Sequence, residues 1–177
     1  MSLVDRAHAL QTEAQQLFTR LDLGTAFPWE PALIGSALSG LMVDRDLDIM
    51  FDAPDATAAT VLAGLTTLAQ HVALRSVDLR DEREDRRPTP AITDERFYAV
   101  LHTQAWKIDL TFWLHVVERP HVAHAERLRA ASPDQQLTIL HLKTERPDLD
   151  SSEIYTAVLR GDVRTPLELA DYLTAGH

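Results

Sequence analysis

The spacing of apolar positions changes period several times along the chain, and each change marks an element. Ala7, Leu10, Ala14, Leu17 and Leu21 recur at steps of three and four, which predicts an amphipathic helix over Val4–Leu21, ended by Gly24. The prolines of "FPWEP" bar helix and hold their neighbours extended, and "ALIG" then reads as a short buried strand. After Gly40 the period becomes two. In "RDLDIMF", Leu47, Ile49 and Phe51 share one face, while Asp46, Asp48 and Met50 share the other. A helical stripe follows in Ala58, Val61, Leu62, Leu65, Leu68 and Ala69, weakened locally by Gly64, and "VALRSVDL" reads as a strand. Residues 81–95 are charged and broken by Pro88 and Pro90, which predicts an exposed loop or hairpin tip. "RFYAVLHT" and "WKIDLTFWLHVV" predict two more strands. In the second, Ile108, Leu110 and Phe112 alternate with Lys107, Asp109 and Thr111.

From Pro120 onward the pattern is helical. One helix spans Pro133 to Glu145 and carries Leu137, Ile139 and Leu140; Ser151 or Ser152 caps the next, which runs through Arg160 and is terminated by Gly161. "TPLE" at 165–168 is a capping box with proline at the first helical position, opening a last short helix. The order α, β, β, α, β, β, β and then helices predicts an α+β fold.

Composition narrows the functions open to such a chain. Its 177 residues, 45% apolar and 25% charged, suit one soluble globular domain. A net charge of −10 and a pI near 5.1 argue against gripping nucleic acid through phosphate neutralisation. Absence of cysteine excludes disulfides and thiolate metal sites. The start "MSLVDRAHALQTEAQQ" lacks a signal-peptide layout, and no apolar run reaches the length of a membrane span, so the expected location is cytoplasmic. His102, His115, His121, His124 and His141 lack a third ligand at a sensible spacing and read as surface histidines. Trp29, Trp106 and Trp113 read as core.

The chemistry concentrates in "LIGSALSGLMVDRDLDIMF". Two aspartates on one strand face, with a third at Asp109, repel one another unless something compensates. Arginine or lysine partners, exposure at a sheet edge and a hard divalent cation all serve, and carboxylates at i and i+2 point the same way. Just upstream, Gly35 and Ser36 sit where a strand passes into a short helix, a turn whose N–H groups suit phosphate.

This stretch resembles the signature of the nucleotidyltransferase superfamily, the polymerase-beta-like fold. Gly35 and Ser36 match its Gly-Ser pair, Gly40 a second glycine, Asp46 and Asp48 its metal-binding pair, and Asp109 its third carboxylate. Arg45 departs from the serine that many small members carry there. The resemblance implies a mixed sheet flanked by helices over 1–118, with an all-helical C-terminal region, 119–177, packed on it. It implies transfer of a nucleoside monophosphate from a nucleoside triphosphate, with Mg²⁺ or Mn²⁺ at Asp46, Asp48 and Asp109. Gly35 and Ser36 would hold phosphates, and Arg45 or Lys107 would neutralise charge on the leaving group. The acceptor expected is a small molecule or a protein, not nucleic acid; no membrane partner is expected, and a homodimer is open. The alternative is a silent nucleotidyltransferase-fold binding module, such as an antitoxin-like partner protein.

Overall fold

The structure, a computed structural model, describes residues 1–88, 94–115 and 120–175. Helix α1 (Leu3–Leu21) opens with a capping box between Ser2 and Asp5 and buries the five stripe residues named above. It ends before Gly24. Asp22 takes the left-handed conformation at φ 47°, which aspartate tolerates, and Gly24 lies inside the short helix α2 (Leu23–Ala26). The remaining elements are β1 (Pro31–Leu33), α3 (Gly35–Ser39), β2 (Asp46–Asp52), α4 (Ala58–His71), β3 (Ser76–Glu82), a 3₁₀ turn at Glu84–Arg86, β4 (Arg96–His102), β5 (Lys107–Trp113), α5 (Pro120–Arg129), α6 (Pro133–Glu145), α7 (Ser151–Gly161) and α8 (Pro166–Thr174).

The five strands form one sheet in the order β1-β2-β5-β4-β3. Only β2 and β5 run parallel; the other neighbours are antiparallel, so the sheet is mixed. β1 is half-buried, not buried as "ALIG" suggests, because it is an edge strand of three residues, where proline is tolerated. β3 forms the other edge. It starts later than the pattern indicates, at Ser76, and Asp78, Arg80 and Asp81 give that edge the charge that discourages further strand pairing. Part of the loop expected at 81–95 and the end of "WKIDLTFWLHVV" lie outside the described residues.

One face of the sheet is core. Phe51 and Phe112 stack at 4.6 Å, and Phe27 tilts against both. Phe27 also explains α4, whose buried residues are Val61, Gly64, Leu65 and Leu68, while Leu62 is 52% exposed. A Cβ at Gly64 would lie 2.1 Å from the Phe27 ring, so this glycine permits close packing and turns the buried stripe toward itself. A second apolar cluster joins α5 to α8 through Leu128, Ile139, Leu142, Ile154, Val158 and Leu169, and it includes Ala7 of α1 and Leu41. This places α5, α6 and α7 across a cleft from the acidic end of β2.

Candidate active site

β2 and β5 carry the acids. Their parallel register sets Asp46 opposite Lys107 and Asp48 opposite Asp109, and alternation along each strand keeps all four side chains on one face. Oxygens of Asp46, Asp48 and Asp109 lie within 4.8 Å of one another. Six oxygens around Mg²⁺ at its usual bond length are about 3 to 4 Å apart, so the set is near ligand spacing, with the Asp109 carboxylate also held by Lys107 and Tyr98.

The burial of three acids shows in their proton affinities. Asp48 is pushed up to about 7, first by burial and then by repulsion from Asp46 and Asp109. Burial also raises Asp46, against the pull of Lys107. The Lys107 ammonium bonds Asp46 at 3.2 Å and Asp109 at 2.9 Å. Burial works against that charge, but the two carboxylates outweigh it and raise Lys107 above its ordinary value. The Tyr98 hydroxyl donates to Asp109 Oδ2, and Tyr98 is raised by burial and by that bond. Asp109 Oδ1 is buried with no hydrogen-bond partner among the described residues.

The Gly35–Ser36 turn abuts Asp48. Ile34 N–H donates to the Asp48 carbonyl at 3.0 Å, fixing the turn to β2. Gly35 has φ 62°, and a Cβ there would lie 2.2 Å from Asp48 Oδ2, so glycine is required on both counts. Ile34 caps α3 without a side-chain bond, leaving the N–H groups of its first turn uncapped by a side chain.

Gly35, Ser36, Asp46 and Asp48 form one wall of a cleft of about 360 Å³. The facing wall brings residues that the sequence pattern did not single out, Lys143, Arg146 and Tyr155, together with Ser152. Lys143 is buried, donating to the Leu41 carbonyl at 2.9 Å and the Tyr155 hydroxyl at 3.1 Å. Its signal was its position four residues after Ile139, a charge on the buried stripe of α6. His121 and His124, read above as surface residues, also line this cleft, and burial lowers both. A second groove of about 320 Å³ opens beside Asp48 and Asp109 over the exposed sheet face, lined by Arg80, Glu82, Arg96, Tyr98, Thr111 and Trp113. The triad thus stands between two cavities.

The structure brings together six of the seven residues expected to act: Gly35, Ser36, Asp46, Asp48, Lys107 and Asp109. Arg45 is elsewhere. Its guanidinium pairs with Glu13 of α1 at 2.9 Å on the exposed surface.

A mixed sheet with three carboxylates on its two parallel strands and a Gly-Ser turn beside them is the arrangement that the resemblance noted above implies, and solved structures bear on the fold. Over 88% of this chain and 63% of the other, the fold is similar to a chain in the structure of the GLD-2/RNP-8 complex, with TM-score 0.51 and 16% identity. Terminal uridylyl transferase 4 from Trypanosoma brucei with bound UPU is also similar, at TM-score 0.49 and 14% identity, over 95% of this chain and 63% of that one. The chain therefore spans less than two thirds of either neighbour. The first of these similarities shows that the two chains share a fold. No protein-family model and no curated protein sequence matches the chain.

Proposed function

We propose that this protein is a metal-dependent nucleotidyltransferase, moving a nucleoside monophosphate from a nucleoside triphosphate to an acceptor oxygen and releasing pyrophosphate. The observation that carries this reading is the convergence of Asp46, Asp48 and Asp109 beside a Gly35 that has no room for a side chain. The donor set is all oxygen, which suits Mg²⁺ or Mn²⁺. Bound there, such an ion would offset the charge of the triphosphate and polarise the phosphorus under attack.

The remaining roles fall to this chain's own groups. The triphosphate lies in the larger cleft, its terminal phosphates against the N–H groups of Gly35 and Ser36, with Lys143 supplying positive charge opposite. The acceptor enters by the groove over β3, β4 and β5, bringing its nucleophilic oxygen to Asp48 and Asp109, and the proton it loses passes to a carboxylate there. A small molecule or a protein side chain fits this groove better than nucleic acid. Its two arginines are already paired, Arg80 with Asp78 and Arg96 with Glu82, and the net charge of the chain is −10.

One feature favours the alternative, a silent binding module: Lys107 neutralises part of the acidic cluster. Calorimetric titration with each of the four ribonucleoside triphosphates, with and without Mg²⁺, separates the two. Transfer predicts Mg²⁺-dependent binding of at least one triphosphate, lost in the Asp46→Ala/Asp48→Ala double variant; no binding of any triphosphate supports the silent module.

A further inference from the structure

Lys107 and Asp109 stand two residues apart on β5, registered opposite Asp46 and Asp48. The four side chains therefore make the corners of one patch, three negative and one positive. The ammonium lies along the Asp46–Asp109 edge, within 3.3 Å of both Asp46 oxygens and 2.9 Å from Asp109 Oδ2. That same Asp109 oxygen also accepts the Tyr98 hydroxyl, while Oδ1 is sealed from solvent. A cation touching all three aspartates would have to take an oxygen that two donors already hold, in the space the ammonium fills. Asp48 differs: its carboxylate accepts no hydrogen bond from the described residues, and it faces both cavities.

We propose that the Lys107 ammonium takes the place of one of two cations, so that the centre binds a single divalent ion, on Asp46 and Asp48. The inference rests on the metal-dependent reading above. The charges agree with it: three carboxylates are balanced by one divalent ion and one ammonium, whereas a second divalent ion beside Lys107 leaves an excess of two positive charges. Tyr98 acts as a positioning residue, holding Asp109 turned toward Lys107 and not toward the ion.

Mn²⁺ titration followed by electron paramagnetic resonance counts the ions directly. The full chain is titrated with Mn²⁺ alone and with Mn²⁺ plus α,β-methylene analogues of the four ribonucleoside triphosphates. Wild type is expected to bind one Mn²⁺ per chain, with the six-line spectrum of an isolated ion. Lys107→Met, which keeps the stem and removes the charge, is expected to bind two, broadened by coupling across the ~3.5–4 Å that separates paired metals. Two coupled ions in wild type would overturn the proposal, whatever the variant does. A Lys107→Met protein that melts cooperatively yet still binds one ion would also overturn it. No ion in either protein would instead overturn the metal-dependent reading, and this inference with it.

Discussion

The two faces of the β2–β5 pair are built from alternate residues of the same strands and do opposite things. On one, Leu47, Ile49, Phe51, Ile108, Leu110 and Phe112 are wholly buried, and ring contacts tie Phe51 to Phe27 and Phe112 to Phe27 and Trp29. On the other, Asp46, Asp48 and Asp109 crowd within 4.8 Å, with Lys107 paired to Asp46 and Asp109 and Tyr98 on Asp109. The first face stabilises the fold by removing apolar surface from water. The second holds like charges that the folded chain tolerates only because the first face fixes the strands beneath them. Stability and chemistry are thus segregated by a single residue of alternation.

The largest effect that breaks this contrast is expected on the apolar face. Phe112→Ala removes a ring stacked on Phe51 and should cost about 3–5 kcal/mol, read as a fall in Tm of roughly 10 °C. The acidic face should respond with the opposite sign. The Asp48 carboxyl, raised to about 7 from 3.8, holds its proton more tightly in the folded protein than in the unfolded chain. Its ionisation therefore costs stability, beginning above the unfolded value and complete above about pH 7. In metal-free buffer Asp48→Asn should raise Tm by about 5 °C at pH 8 and scarcely at pH 4, while abolishing Mg²⁺-dependent nucleotide binding. Because an ion needs the carboxylate deprotonated, wild-type affinity for Mg²⁺ should also weaken as pH falls below about 7.

A smaller change sharpens the boundary between the faces. Gly35→Ala places a Cβ in a left-handed conformation and against Asp48, at a cost of about 1–2 kcal/mol. Melting should shift by only a few degrees, whereas nucleotide affinity measured by calorimetry should fall about tenfold or more, because the carboxylate is displaced. The least effect is expected at Arg45→Ala, which breaks an exposed pair with Glu13 worth at most about 1 kcal/mol. Nucleotide affinity should stay within about twofold. A larger loss would show that the guanidinium leaves Glu13 for the phosphates.

How much of this was legible in the chain depended on distance along it. The α1 stripe and the alternation in β2 and β5 are local patterns, and they place Asp46, Asp48 and Asp109 on the correct faces. The pairing of Asp46 with Lys107 spans 61 residues and follows from a parallel register that no local pattern encodes. Lys143 was missed for the same reason, since it meets Leu41 across 102 residues of chain. Arg45 reads as a phosphate ligand from its position directly before Asp46, but Glu13, on a helix 32 residues earlier, takes its guanidinium. Gly64 reads as a weakness because the ring that needs the space, Phe27, lies on another element.

Anomalous diffraction from crystals grown with Mn²⁺ and a non-hydrolysable nucleoside triphosphate tests the central claim most directly. The account predicts a manganese peak within about 2.2 Å of Asp46 and Asp48 oxygens, with the terminal phosphates on the Gly35–Ser36 turn. Nucleotide bound away from that turn, or no manganese at the aspartates, would contradict it.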